Sequence, residues 1–309
     1  MRGLRLVVVA ALVGCSSTRH PPDPRASRPA ALASVTPTAG PRCGATPCRV
    51  FPDARTAFAA VMAERPRVLA VGESHPLAGT EEVEPSTRRF MREMLPLLAG
   101  HASDIVIELM LPNPKCAPEG QKARQEQKVV TEHQAKTDQR DYVELGTRAK
   151  ALGIRPHALE PTCDDLARMA NAGADVVTVS LDVVTRLATA ALSGLCDANA
   201  ASGDPRTVVA YGGLMHNDVQ PAPERAQWSF GPAMMKQTAE RYTELDLVAP
   251  EQVKDTPTWR SLPWVAAFDR DAHPHEAVLL SPSPHGYVLL FPRGAAAPPT
   301  ARPAPSASP

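Results

Sequence analysis

The sequence is poor in aromatic residues and carries no net charge. Phe, Trp and Tyr make up 4% of its 309 residues, and 33 Lys and Arg balance 33 Asp and Glu. Nucleic-acid-binding proteins present basic patches or stripes, and none is visible here. The composition therefore argues against a nucleic-acid partner and leaves small-molecule ligands open.

Several motifs of well-known chemistry are also missing. The sequence contains no GxSxG, which would mark the nucleophile elbow of a serine hydrolase. Neither GxGxxG nor GxxxxGK[ST] occurs, so nucleotide binding has no support. The cysteines and histidines show no CxxC or other zinc-finger spacing.

The N-terminal residues 1–15, MRGLRLVVVAALVGC, have the layout of a secretory signal peptide. Arg2 and Arg5 precede an apolar run that is too short to span a bilayer. The ending LVGC resembles a bacterial lipobox, which implies cleavage before Cys15 and its diacylation. An ordinary signal peptide that contains a cysteine is the alternative. The lipobox predicts a lipid-anchored protein of the cell envelope, on the periplasmic side or at the outer membrane.

The 33 prolines are concentrated towards the two ends of the chain. Residues 16–42 are rich in Pro, Ser, Ala and Thr without hydrophobic periodicity, which predicts a disordered tether. Residues 294–309 have the same composition and predict a disordered tail. The folded domain is therefore expected at 43–293.

Five cysteines lie within this domain, where an exported protein can keep disulfides. Cys43 and Cys48 are close enough to form a small disulfide at the domain entrance. The pairing of Cys116, Cys163 and Cys196 stays open, and one of them is left over if all bonds are internal.

Apolar strand patterns alternate with helical ones through the domain. This order predicts an α/β fold with a mostly parallel sheet, helices on both faces and a terminal antiparallel hairpin. The predicted strands are 67–72, 104–110, 154–160, 206–213, 242–248 and the hairpin 276–292. The predicted helices are 53–66, capped by Asp53, 85–100, with Pro96 as a distortion, 119–152, and a pair over 163–197.

Titratable side chains follow four of the predicted strands in succession. The strand ends carry Glu73 and His75, then Glu108, then Glu160, then His216. Because carboxyl ends of parallel strands meet at one edge of a sheet, we expect these groups to converge. Each one alone is typical of a cap or an edge carboxylate. Together they predict a site in which a histidine acts as general base, or in which a divalent metal is held.

Glycines accompany these groups. Gly72 lets the first strand turn off the sheet, and Gly212 and Gly213 precede His216 in the motif VVAYGGLMH. With VGESH and VIELM, this motif resembles those of the erythromycin esterase-like/ChaN-like superfamily, which includes the TraB/Tiki proteins. The matching positions are Gly72, Glu73, His75, Glu108, Gly213 and His216, and the resemblance covers residues 50–290.

The resemblance implies three activities. The esterase branch uses a first-motif histidine as a metal-free general base, and the Tiki branch is a metal-dependent protease. The ChaN branch comprises envelope lipoproteins that bind haem through tyrosine, and this chain has Tyr142, Tyr211, Tyr242 and Tyr287. The single residue between Glu73 and His75 is nearer to the ChaN and TraB spacing than to the esterase spacing.

We therefore expect an envelope lipoprotein that hydrolyses a small-molecule or peptide substrate. His75, Glu73 and His216 are the expected catalytic residues, and Glu108 and Glu160 the expected substrate or metal ligands. The alternative is a non-catalytic lipoprotein that binds haem or a metal, as in iron uptake.

Other residues are weaker candidates. His273, His275 and His285 suit a metal site but are also typical of exposed loops. Arg88 and Arg89 suit an anionic group or a solvated helix face.

Three further features are open to more than one interpretation. Asp164 and Asp165 suit a helix N-terminus, and Asn217 and Asp218 orient His216 or form a turn. Residues 175–195 are long and apolar, but Asp182 and Arg186 favour a helix on the sheet over a membrane span.

Overall fold

The computed structural model of the chain describes residues 43, 46–75, 82–128 and 138–293. Three predictions lie outside the described residues: the signal peptide with Cys15, the tether at 16–42 and the tail at 294–309.

Eight described strands form one mixed sheet in the order β1-β7-β8-β6-β2-β5-β3-β4. The six strands from β8 to β4 are parallel, and β7 pairs antiparallel with both β8 and β1. The predicted α/β fold with a terminal antiparallel hairpin is confirmed. The strands are β1 Cys48–Phe51, β2 Val68–Glu73, β3 Ala102–Met110, β4 Arg155–Leu159, β5 Thr207–Gly213, β6 Tyr242–Val248, β7 Ala277–Ser283 and β8 Gly286–Leu290.

Helices cover both faces of the sheet, which explains the continuous apolar runs of its central strands. All six residues of β2 are buried. The helices are α1 Ala54–Met62, α2 Ser86–Arg89, α3 Ala117–Glu126, α4 Asp138–Ala151, α5 Cys163–Ala170, α6 Val176–Ser202, α7 Gly231–Gln237 and α8 Pro257–Arg260. Single 3₁₀ turns occupy Pro114–Cys116, Gly173–Asp175, Ala226–Trp228, Pro250–Gln252 and Val265–Ala267.

Each face has its own core. Leu69, Val71 and Tyr211 point to the face that carries α1, α2 and α4. Val68 and Ala70 point to the opposite face, which carries α6 and α7. The alternation follows from the two-residue period of a strand, and it places successive side chains of β2 on opposite sides.

The segment predicted as one helix over 85–100 is divided into three. After α2 the chain continues as a π-helix, Phe90–Met94, and then as a 3₁₀ helix, Leu95–Leu98. Pro96 lies in the first turn of the 3₁₀ helix, where its missing amide hydrogen is tolerated. The change from α-helical to π-helical and then 3₁₀ geometry keeps Phe90, Leu95 and Leu98 buried in the core.

Two disulfides and one free thiol account for the described cysteines. Cys43 bonds to Cys48 at the start of β1, and Cys116 bonds to Cys163 across α3 and α5. Cys196 is free and buried under the sheet face covered by α6. The short strand β1 was not predicted, because only its pairing with β7 makes four residues a strand.

Among the described residues, one stretch, Gly173–Ser202, is long and apolar enough to cross a membrane by length and composition. In the structure its α6 portion packs on the sheet, with Val184, Ala188 and Leu192 in the core beside β3 and β5.

Candidate functional site

The strand register brings three of the four predicted strand ends together. Gly72 and Glu73 of β2 lie opposite Gly212 and Gly213 of β5. On the other side of β5, Ile107 pairs with Tyr211, so that Glu108 follows beside Gly212. The carboxyl ends of β2, β5 and β3 therefore form one rim.

Glu73 is buried, at 1% exposure, and three hydroxyl groups surround its carboxylate. Tyr142 donates to Oε1 at 3.0 Å, while Thr87 and Tyr211 donate to Oε2 at 2.6 and 2.8 Å. A buried carboxylate is costly unless it is hydrogen bonded. The three donors supply that compensation and hold the carboxylate in one position.

His75 lies between Glu73 and the open side of the rim. Its Nδ1 is 3.6 Å from Oε1 of Glu73 and 3.4 Å from the Tyr142 hydroxyl. Its Nε2 points towards Gly213, where a Cβ would come within 3.0 Å of that nitrogen. The buried edge of the ring thus faces a carboxylate, and the other nitrogen faces the rim.

Glu108 is fixed by the backbone of β5. Its Oε2 accepts a hydrogen bond from the N–H of Gly213 at 2.6 Å. A Cβ on Gly212 would lie 2.7 Å from the Glu108 Cβ, so this position has no room for a side chain. The Gly-Gly pair therefore lets the Glu108 carboxylate approach the strand.

His216 is buried, at 4% exposure, and faces Glu108. Its Nδ1 lies 2.9 Å from the carbonyl oxygen of Trp228 and 3.0 Å from the Thr185 hydroxyl. A carbonyl only accepts, so we assign a hydrogen to Nδ1. Nε2 is then directed at Oε1 of Glu108, 3.7 Å away.

Nε2 of His216 and Oε1 of Glu108 are further apart than a hydrogen bond, and a proton on either group would make their contact attractive. With Nδ1 protonated, a neutral imidazole would turn its Nε2 lone pair towards a carboxylate, and the two would repel. One proton on either group removes the repulsion. Two histidine–carboxylate pairs, Glu73–His75 and Glu108–His216, therefore flank Gly213, one from each side.

The rim opens into a cavity of about 950 Å³. The cavity lies among α3, α4, α5, α6 and the loops that follow β2, β3 and β5. Both histidines and both carboxylates line it, and the rest of its wall is mostly apolar. The volume is at the upper end of the range for small-molecule sites, about 300–1,000 Å³.

A second group of buried carboxylates lies on β6, next to β2. Glu244 accepts from the N–H of Val219 at 2.7 Å, and Asp246 accepts from the Asn217 side chain at 3.0 Å. Burial, with the charge of Asp218 adding to it, raises the pKa of Asp246 to about 7. Burial and the charge of Asp246 raise the pKa of Glu244 well above its usual range. We call Glu244 and Asp246 the β6 pair.

The donor side chains at the rim bear on the predicted metal and haem sites. Within the described ranges, no three His, Cys, Asp or Glu side chains are grouped to hold a metal ion. Glu108 and His216 offer two donors. Tyr142 is the one tyrosine among the described residues lining the large cavity, and its hydroxyl is engaged with Glu73 and His75. Neither a three-donor metal site nor haem ligation by a tyrosine fits this arrangement.

Glu160 does not join the rim. It is exposed after the end of β4 and is not among the residues that line the cavity. β4 is the edge strand, three positions from β2, so its end is the furthest of the four from the end of β2. The pairing of β3 with β4 also shifts register between Ile107 and Met110. The expected convergence of four strand ends is thus reduced to three.

The weaker arginine and aspartate candidates have structural partners. Arg88 forms an ion pair with Asp141 at 2.9 Å, and Arg89 donates to the carbonyl of Pro292 at 2.8 Å. Asp165 completes a capping box with Thr162 and pairs with Arg186, whereas Asp164 is exposed in the first turn of α5. Asp182 pairs with Arg168.

The remaining histidine and loop candidates also lie away from the rim. Asn217 binds Asp246 rather than orienting His216, and Asp218 accepts from the N–H of Gln220. His273 contacts Glu276 at 2.9 Å, and His275 is exposed. His285 occupies the left-handed turn of the β7–β8 hairpin.

Sequence reasoning missed the hydroxyl groups that organise the site. Thr87, Tyr142, Tyr211 and Thr185 come from four different elements, and nothing in their local sequence indicates that they contact Glu73 or His216. The nearest signal is Tyr142, an aromatic residue in an otherwise polar helical segment.

No family model, curated protein or solved structure matches the chain. The resemblance to the erythromycin esterase-like/ChaN-like superfamily is therefore carried by the motif residues alone.

Proposed function

We propose that the chain is a cell-envelope lipoprotein with a hydrolase domain, in which His75 activates water. The observation that carries the proposal is the pair of histidine–carboxylate contacts on either side of Gly213, at the end of a large apolar cavity. Two histidine–carboxylate pairs at one site provide candidate groups for a general base and a general acid.

His75 is the base. Its Nδ1 edge faces the buried Glu73 carboxylate, which favours a hydrogen on Nδ1 and leaves the Nε2 lone pair directed at the rim. Nε2 takes a proton from water as the water oxygen attacks the carbonyl carbon of the substrate. The Glu73 carboxylate stabilises the imidazolium that forms.

Glu108 and His216 act on the other side of the reacting carbon. The proton that the pair holds is donated to the leaving group as its bond to the carbonyl carbon breaks. Thr185 and the Trp228 carbonyl keep the His216 ring oriented throughout. The net reaction consumes one water, and the proton taken by His75 returns to the Glu108–His216 pair through solvent.

The test compares matched substitutions in the purified full chain, assayed on chromogenic esters and amides. We expect His75→Gln and Glu108→Gln each to lower kcat/KM by about 10²–10⁴-fold, the usual contribution of general acid–base groups. His275→Gln and Glu160→Gln are the controls, because both residues are exposed outside the cavity. Circular dichroism checks that each variant is folded.

Two outcomes would contradict the proposal. The first is full activity of both His75→Gln and Glu108→Gln on a substrate that the wild type hydrolyses, which would show that neither residue is the assigned acid or base. Loss of turnover on chelation, with recovery on adding one divalent metal, replaces the metal-free mechanism. Titration with haem, followed by visible absorbance, tests the non-catalytic alternative, for which a stoichiometric Soret shift without any turnover is expected.

A further inference from the structure

The cavity extends well beyond the catalytic pairs, and its mouth is apolar. Leu111, Val143 and Val177 are the exposed large hydrophobic residues of the described chain, at 44, 57 and 43%. All three line this one cavity. Scattered exposed apolar side chains are ordinary, but their concentration at one opening marks a binding site.

The cavity wall is mostly aliphatic, with Tyr142, Trp228 and Trp259 as its aromatic residues. Met110, Met169 and Met215 contribute to it, together with leucine, valine, proline and alanine side chains. Methionine side chains adapt to irregular and flexible ligands. Because these aliphatic side chains outnumber the three aromatic ones, the wall suits a flexible hydrocarbon chain.

Two guanidinium groups lie on the wall, and one of them, Arg225, is near enough to Asp218 for its charge to favour the ionised form of that carboxyl. Arg124 of α3 and Arg225 both line the cavity. Within the described part of the chain, neither forms an ion pair with a carboxylate, whereas Arg88, Arg148 and Arg155 all do. A guanidinium group is suited to bind carboxylates and phosphates.

We propose that the substrate is an anionic amphiphile: an ester of a long aliphatic acid that also bears a carboxylate or phosphate. Its chain fills the cavity, its anionic group pairs with Arg124 or Arg225, and its carbonyl lies between His75 and Glu108. The hydrolysis of this ester rests on the proposed function, but the binding of chain and charge does not.

Binding is measured first, with the fluorescent fatty acid cis-parinaric acid as probe. The full chain carries Cys15→Ser so that no acyl anchor competes for the cavity. Hexanoate, octanoate, decanoate and decanol are the competitors. We expect affinity to rise about fourfold for each added methylene. We expect decanoate to bind about tenfold more tightly than decanol, since an ion pair is lost with the alcohol.

Matched variants then separate charge from chain. The double variant Arg124→Gln/Arg225→Gln should bind decanoate and decanol equally. The control Arg148→Gln/Arg260→Gln removes two exposed, ion-paired arginines outside the cavity and should keep the tenfold difference. Leu111→Asn should weaken decanoate and decanol alike, because it places an uncharged polar group at the apolar mouth.

The results distinguish this inference from the proposed function. His75→Gln should bind the probe like the wild type while losing turnover. The inference is overturned if decanol competes as well as decanoate, if chain length has no effect, or if the flat anion 2-naphthoate competes better than decanoate. Chain-dependent binding with no ester hydrolysis would refute the hydrolase alone.

Discussion

Glu73 on β2 and the β6 pair are buried carboxylates on neighbouring strands. The cost of burying them is compensated in different ways. Glu73 receives three hydroxyl donors and no other carboxylate contacts it among the residues described. The β6 pair receives one backbone donor and one amide donor, and the charge of Asp246 adds to the cost of ionising Glu244. Burial alone therefore does not describe the environment of a carboxylate, because the donors and the charges around it differ between the two strands.

The strongest way to sharpen this comparison is to vary pH. The folded-state pKa of Asp246 is about 7, above the unfolded value of 3.8. Its stabilising contribution is thus complete below pH 3.8 and is lost as pH rises through 7. Linkage predicts a fall in the free energy of unfolding of about 4 kcal/mol between pH 4 and 8.

Urea denaturation at pH 4, 5, 6, 7 and 8 measures this fall. Asp246→Asn should remove the Asp246 contribution, leave that of Glu244, and unfold at higher urea than the wild type at pH 8. The groups that face Asp246 are Glu244, Asp218, Asn217 and Tyr242. An unchanged pH slope in the Asp246→Asn variant would show that Asp246 is ionised in the fold.

The next largest effect is expected at Gly72, the point where the two regions touch. A Cβ there would lie 2.5 Å from Oδ1 of Asp246, 2.6 Å from Nδ2 of Asn217 and 2.7 Å from Cα of Leu214. Since backbone is among these atoms, the overlap cannot be relieved by rotating side chains. We expect Gly72→Ala to lower the free energy of unfolding by about 3 kcal/mol.

Gly194 provides the matched control. It lies exposed within α6, and a Cβ there would meet nothing within 4 Å. Gly194→Ala should stabilise the protein by about 0.5–1 kcal/mol through helix propensity. Thermal melts compare the two variants, and Gly72→Ala should melt at the lower temperature. Equal melting temperatures would mean that a Cβ at Gly72 has more room than the structure gives it.

The smallest predicted effect is the difference between two tyrosine hydrogen bonds, one to a carboxylate and one to a backbone carbonyl. Tyr211 donates to the Glu73 carboxylate at 2.8 Å, whereas Tyr242 donates to the Asn217 carbonyl. Hydrogen bonds to charged groups contribute about 1.5–3 kcal/mol and neutral ones about 1 kcal/mol. Denaturant titrations should therefore show Tyr211→Phe to be more destabilising than Tyr242→Phe, and the reverse order would contradict the stronger hydrogen bond assigned to Tyr211.

Much of the fold was predictable because its signals are local. The apolar runs of β2, β3 and β5 and the Asp53 cap of α1 are read from neighbouring residues, and the structure contains all of them. The hairpin predicted over 276–292 is also present, as β7 and β8. Strand β1 was not predictable, since four residues acquire their conformation from pairing with β7, more than 220 positions away.

The candidate site was predictable in its titratable residues and not in their partners. Glu73, His75, Glu108 and His216 were visible because each follows a strand directly. The Thr87, Tyr142 and Tyr211 hydroxyls that hold Glu73 lie 14, 69 and 138 residues from it in sequence. Contacts of that kind leave no local periodicity, so one sequence does not reveal them.

The sequence by itself determined which side chains stand at the ends of strands, because strand propensity and its termination depend on neighbouring residues. The tertiary structure alone decided which of those ends meet. The order β6-β2-β5-β3-β4 places Glu73, His75, Glu108 and His216 around Gly213 and leaves Glu160 exposed at the edge. The order of strands in a sheet depends on long-range pairing and helix packing, and these also created the cavity and the β6 pair.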